Sequence, residues 1–388
     1  MKRSKDRILT THAGSLPRPE GLHALITARA EGKEYDKPAL ESALKNGVRE
    51  VVKKQIECGV DSVNDGELGK INFNIYVRDR LSGHETRPYV AGKSPTPINV
   101  AARDMKKFPD YFTGGRGRFA AKPRETQTFC VGPLKYVGHD WLNEELDTFK
   151  AALTTEKPEE AFLPANTPGT IEHWMVNQHY KNDEEFLFAI AEAMREEYEA
   201  IVNAGFLLQI DDPDLPDGWQ AYPELSVADY RKHAELRIAA LNHGLRNIPR
   251  EKVRLHVCWG SFHGPHQHDI PLRDIADLIF SVKASAYSIE ASNPCHQHEW
   301  QVFETVKVPQ DAVLIPGVIG HYSDFIEHPE LVAERLVRYA KLVGRENVMA
   351  GTDCGLGNRV GTPMIAWAKL ASMAEGARIA TKQLWGRA

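Results

Sequence analysis

A chain of 388 residues with 42% hydrophobic and 26% charged side chains has the make-up of a soluble globular protein, long enough for one large α/β barrel with insertions or for two ordinary domains. Its formal net charge of −5 argues against a general nucleic-acid surface, and no window approaches the ~18 apolar residues of a membrane span, so neither partner is expected. Five cysteines, an odd number spread widely, fit reduced thiols better than a disulfide framework, and the basic start MKRSKDRILTTHAGS lacks a secretory pattern, so a cytoplasmic setting is expected.

The first strand-like run, near 7–12, leads into THAGSLPRP, where Gly14 and Ser15 either offer N–H groups to an anion or simply turn the chain. The next, near 60–65, runs into NDGELGK, where Glu67 suits a substrate ammonium or a helix N-cap. Residues 84–126 break the pattern with Pro, Gly and basic side chains and read as an insertion. Runs near 128–132 and 160–164 follow, and GTIEHW then presents Trp174, a ring for stacking on a planar ligand or for packing in a core. The run near 206–211 ends at Asp211, which invites the same two readings as Glu67.

The last four runs, near 253–258, 286–291, 312–316 and 347–352, carry or border the strongest candidates. His256 and Cys258 in LHVCWG lie two apart and share one strand face, Glu290 ends YSIE, and Cys354 follows in GTDCGLG. Imidazole, thiolate and carboxylate are the ligands zinc prefers, so these four form a candidate zinc site. Cys295 in NPCHQHEW is the alternative ligand, and His263, His266 and His268 in SFHGPHQHDIP read as a surface loop or a second metal site. Amphipathic stretches such as Leu187, Ile190, Met194, Tyr198 and Ile201 lie between the runs. This alternation predicts one (β/α)8 TIM-type barrel domain over 1–388, with the ninth candidate strand in excess.

Taken in order, THAGSLPR, VDSVNDGELGK, LLQIDDPDLPD, LHVCWGSF, YSIEAS, IPGVIG and GTDCGLG resemble the catalytic half of cobalamin-independent methionine synthase and its shorter relatives, over nearly the whole chain. The resemblance implies a (β/α)8 barrel in which Zn²⁺ activates homocysteine for methyl transfer from a methylated folate. It implies His256, Cys258, Glu290 and Cys354 as zinc ligands. Ser15 and its backbone neighbours would then meet the homocysteine carboxylate, Glu67 and Asp211 its amine, and Trp174 the pterin. The family's proton-donating histidine follows a GV turn; here His321 falls one position early and Tyr322 takes the place. Phe129 stands where the family has a basic residue near the folate, and the family's second, N-terminal barrel, which grips a triglutamate tail, has no counterpart in this sequence.

The expected activity is therefore zinc-dependent methyl transfer from a methylfolate-like donor to a thiol such as homocysteine, giving methionine. Two alternatives stand beside it. One is a thiol alkyltransferase or lyase of the kind that joins coenzyme M to an epoxide; the other is a barrel that takes methyl groups from a corrinoid or a partner protein. Small-molecule thiol and donor are the expected partners, and a homo-oligomer is compatible with the chain.

Overall fold

The computed structural model describes residues 1–73, 75–113, 125–357 and 359–386. In chain order its strands are β1 (Leu9–Thr10), β2 (Ser62–Val63), β3 (Leu81–Pro88), β4 (Thr126–Tyr136), β5 (Glu160–Asn166), β6 (Met175–Asn177), β7 (Leu207–Asp211), β8 (Val253–His256), β9 (Ala286–Glu290), β10 (Val313–Ile319) and β11 (Met349–Thr352). Eight of them pair in parallel in the order β1-β11-β10-β9-β8-β7-β5-β2. Strands β7 to β11 are buried at every residue, as expected when helices cover the outside and side chains fill the inside. This is the predicted (β/α)8 barrel.

The circle closes between β1 and β2 without a strand ladder. Asp61 does the joining: its N–H donates to Thr10 O (3.1 Å), its carboxylate accepts from Thr10 N–H (2.9 Å), and Arg7 grips both carboxylate oxygens at 2.6 and 2.8 Å. Inside the barrel, Arg254 donates to Thr11 Oγ1 (2.9 Å) and His12 O (3.0 Å) and lies over the Phe162 ring. Burial lowers its pKa to about 10.

The outer helices follow from amphipathic spacing and from capping. Asp36 accepts the Ala39 N–H at the start of Lys37–Glu57, with Pro38 in the first turn. Asn182 caps Asp183–Asn203, whose Leu187, Ile190, Met194, Tyr198 and Ile201 all turn inward. Each such aliphatic side chain contributes about 1.5–3 kcal/mol on burial, more than the helix's intrinsic propensity supplies, so packing fixes these helices.

The excess strand is β4, which the sequence read near 128–132. It belongs to a separate sheet, in the order β3-β4-β6, outside the barrel. β3 and β4 pair antiparallel, and the helices Ala102–Lys107 and Pro109–Thr113 lie between them in sequence. The expected insertion at 84–126 is thus part of a wider excursion that includes all of β3 and β4; residues 114–124 of it lie outside the described residues. The excursion is anchored beside Asp183–Asn203 by Arg80. This buried guanidinium meets Glu197 at 3.0 Å and Glu145 at 2.7 Å, and the Tyr136 and Tyr76 hydroxyls also donate to Glu197.

Candidate metal centre and its cavity

β8 ends at His256, and Cys258 follows two residues later on the same side of the chain. Cys354 lies two residues past β11. Their ligand atoms all fall within 4.8 Å of one another. A tetrahedral zinc with bonds of about 2.0–2.3 Å places its ligands about 3.3–3.8 Å apart, so a small contraction would complete three sides of a shell. His256 Nδ1 is engaged with Ser288 Oγ at 3.1 Å, while Nε2 is buried with no hydrogen-bond partner. A ring so oriented presents Nε2 to a metal, and the orphaned nitrogen fits that role.

The two thiols differ. The adjoining Cys258 thiol holds Cys354 well below the ordinary thiol range, aided by the His256 ring, whereas Cys258 itself is pushed well above it by Cys354 and by burial. Cys354 is thus the more readily ionised of the two thiols, and a bound cation would take up the proton's place at Cys258.

Glu290 is buried next door but outside this triad. Its Oε1 accepts the Trp259 N–H (3.1 Å) and its Oε2 the Asn293 amide (2.8 Å). Burial, with Asp353 nearby, raises its pKa to about 8. Cys295, the alternative ligand, turns its thiol to Pro265 O at 3.7 Å. The loop histidines are engaged elsewhere: His266 with Asp269 and Phe262 O, His268 with Asp104, and the His263 carbonyl with the Tyr111 hydroxyl.

The triad opens on a cavity of about 630 Å³, a size typical of small-molecule sites. Ser15, Glu67, Asp211 and Trp174 all line it with His256, Cys258 and Cys354. Neither acid caps a helix. Asp212 takes the Leu215 N–H, and Asp211 instead accepts Gln209 Nε2 (2.7 Å) at the end of β7. Burial raises the Asp211 pKa to about 7 and that of Glu67 in the same direction, against the pull of Lys70 and Arg18 on Glu67. Two buried carboxyls in one cavity suit a cationic ligand that lets both ionise.

Glu67 adopts a left-handed φ of 54°, and its carboxylate lies against Gly14, whose own φ is +142°. A Cβ on Gly14 would overlap Glu67 Oε1. Gly14→Ala is expected to displace Glu67 and weaken binding of an ammonium ligand about tenfold or more, measured by titration calorimetry, with an unchanged affinity telling against the packing. The Gly14 N–H is taken by His12 Nδ1 (3.2 Å), and the turn meets the cavity through Ala13 and Ser15. Ser15 O accepts from Leu356 N–H (2.8 Å) and Gly357 N–H (3.0 Å), which ties this turn to the Cys354 loop.

His321 is buried, and its Nδ1 lacks a hydrogen-bond partner. Burial lowers its pKa to about 4, with Cys354 close enough to pull the other way. Tyr322, at the neighbouring position, donates to Ser292 O (2.6 Å).

Sequence reasoning missed two features. Asp353, fully buried, accepts Ala291 N–H (2.8 Å) and Ser292 N–H (3.1 Å), and so holds Cys354 beside the end of β9; only its place before Cys354 hinted at this. Arg18, Arg78 and Arg359 also line the cavity. No periodicity marks them: Arg18 and Arg359 stand on loops, and Arg78 ends the single-turn helix Ile75–Arg78, too short to show a repeat.

Behind the metal loop, His296 is held by Asp269 (3.0 Å) and Glu299 (2.9 Å) and stacks on Trp259 with centroids 4.0 Å apart. Those carboxylates outweigh burial and raise its pKa to about 10. A folded-state pKa above the unfolded ~6.5 gives stability that is complete below about pH 6.5 and is lost as pH rises through about 10. His296→Gln is expected to lower stability at pH 7 by about 3–5 kcal/mol, and the gap between the two proteins in thermal melts should narrow toward pH 10.

The model for the catalytic domain of cobalamin-independent synthases matches residues 147–378. A curated methionine synthase of Thermococcus kodakarensis is 24% identical over 97% of this chain and 94% of its own length. One from Saccharolobus islandicus is 25% identical over 97% and 95%. Among solved structures, a B12-independent methionine synthase from Shewanella sp. W3-18-1 superposes with a TM-score of 0.72 at 18% identity, covering 98% of this chain and 100% of that one. A putative vitamin-B12 independent methionine synthase from Listeria monocytogenes gives 0.65 at 16% identity, covering 96% and 98%. With the family model matched over more than half its length and the barrel shared, this chain belongs to the cobalamin-independent methionine synthase family.

Proposed function

We propose that the protein is a zinc-dependent S-methyltransferase that moves a methyl group from a methylfolate-like donor to homocysteine. The observation that carries this reading is the His256, Cys258 and Cys354 triad opening on the cavity that Glu67 and Asp211 line. The methionine synthase names of the full-length relatives support homocysteine as the thiol.

Zinc held by His256, Cys258 and Cys354, with Glu290 as the fourth ligand after release from Trp259 and Asn293, would lower the thiol pKa and keep its sulfur as thiolate. Glu67 and Asp211 orient the ammonium, and Ser15 meets the carboxylate. Trp174 forms the wall for a planar donor, with Ile171 and Met175 beside it in the cavity. Attack on the methyl carbon needs no protein nucleophile, so placement of sulfur and methyl in line supplies most of the acceleration. His321, on the Cys354 side, is the residue proposed to relay a proton: burial holds its ring neutral, so it would first take up the proton the thiol gives up and then pass it to the departing donor.

A second reading is supported by Arg18, Arg78 and Arg359: three guanidiniums suit an acidic thiol such as coenzyme M, in alkyl transfer rather than methyl transfer. Metal analysis followed by thiol titration of the cobalt-substituted protein separates the two. A change in metal absorption with homocysteine, and none with coenzyme M, supports the first reading. The reverse supports the second, and a protein that takes up no metal overturns both.

A further inference from the structure

The loop that carries Cys258 is gripped from outside the barrel. Its inner side lines the cavity through Cys258 and Ser261. Its outer side meets the excursion at Asp104, a fully buried carboxylate on the helix Ala102–Lys107. Asp104 accepts Gln267 N–H at 3.2 Å, His268 N–H at 3.1 Å and His268 Nδ1 at 2.6 Å. A buried carboxylate with three donors around it is a strong, directional fixing point, although the His268 ring that supplies one of them is itself partly open to solvent.

The grip continues toward the triad through contiguous polar contacts. Gln220 accepts Asp104 N–H (3.2 Å) and donates to Asp269 Oδ1 (3.1 Å). The other Asp269 oxygen holds His266 (2.8 Å) and His296 (3.0 Å), and the His296 ring stacks on Trp259. Trp259 directly follows Cys258, and its N–H fixes Glu290. The excursion reaches the cavity as well, through Thr126, Gln127 and Thr128 of β4. Two parts of the excursion thus reach the site: β4 walls the cavity, and the helix Ala102–Lys107 clamps the metal-bearing loop.

We propose that Asp104 is a positioning residue for the metal centre: by clamping residues 267–268 it sets the placement of Cys258, Trp259 and Glu290. This rests on the metal reading above. Arg103, its neighbour, donates instead to Trp219 O, Tyr222 O and Leu225 O and lies over the Trp219 ring, so it docks the excursion without touching the loop.

The test compares Asp104→Ala, Asp104→Asn and Arg103→Gln in the full chain. Amide hydrogen exchange at Gln267 and His268 should speed up at least about tenfold in Asp104→Ala and less in Asp104→Asn, which keeps one acceptor. Cobalt affinity should fall about 10–100-fold in Asp104→Ala, with an altered cobalt absorption spectrum, and recover in part in Asp104→Asn. Arg103→Gln should lower the melting temperature while leaving the cobalt spectrum as it was. The proposal is overturned if Asp104→Ala loses thermal stability alone, with unchanged exchange at 267–268 or unchanged cobalt affinity and spectrum. Failure of the underlying reading shows separately: a wild-type protein that binds no cobalt sinks the metal centre, and the exchange data still decide whether Asp104 clamps the loop.

Discussion

Cys354→Ser is expected to strip the protein of its metal and to lower turnover by at least about 100-fold, the upper range for loss of even an outer-shell partner. Serine keeps the size of the side chain but not a thiolate at neutral pH, so the triad loses one of its two thiolate ligands. The fold should survive. Cys354 is only partly buried, and the loop is held independently by Asp353 on Ala291 and Ser292 and by Ser15 O on Leu356 and Gly357. Zinc content by atomic absorption, the thiolate-to-cobalt absorption band and a thermal melt check the three parts. Full metal occupancy with normal turnover would remove Cys354 from the ligand set.

Asp211→Asn should weaken homocysteine binding by about 1.5–3 kcal/mol, or roughly 10–100-fold in Kd, because a hydrogen bond to a charged group is lost while the amide keeps the shape. The pH profile gives a second reading. Asp211 titrates at about 7 in the free protein, as burial raises it. Its negative charge is present above that value, so wild-type affinity for the amine should rise from about pH 6 to 8 by an increment that the variant lacks. Calorimetric titration across that range measures both. Equal affinities and parallel pH profiles would place the ammonium elsewhere.

The barrel was legible because its strands are short, apolar and separated by strongly periodic helices, a pattern that survives without any knowledge of pairing. The surplus strand at 128–132 was not separable from the others on that basis. Its run at 128–132 looks like a barrel strand, but in the structure β4 alternates buried with exposed residues, Val131 among the exposed, and pairs antiparallel with β3. An apolar run this short cannot tell a strand buried on both faces from one buried on a single face.

The site divides in the same way. His256, Cys258 and Cys354 stood out because strand ends converge by construction in a barrel, and the structure brings them together. Glu290 was read from the same logic, yet its carboxylate is turned to Trp259 and Asn293, an orientation set by hydrogen bonds that spacing cannot express. Glu67 and Asp211 carried two readings each, and the choice rested on which neighbour capped the helix. The arginines of the cavity wall and the Asp104 clamp were invisible because they depend on where loops and the excursion come to rest.

The pairing of β1 with β11 sets an order on assembly during translation. Leu9 finds its ladder partner at Met349, and Ala13 N–H its acceptor at Thr352, 339 residues further on. The nascent chain therefore emerges from the ribosome with its first strand unmatched, and the Ser15 turn has no Leu356 or Gly357 to hold until synthesis is nearly finished. His256 and Cys258 likewise wait for Cys354. A truncated product released early would carry half a binding site, with its opening segment exposed to chaperones and proteases.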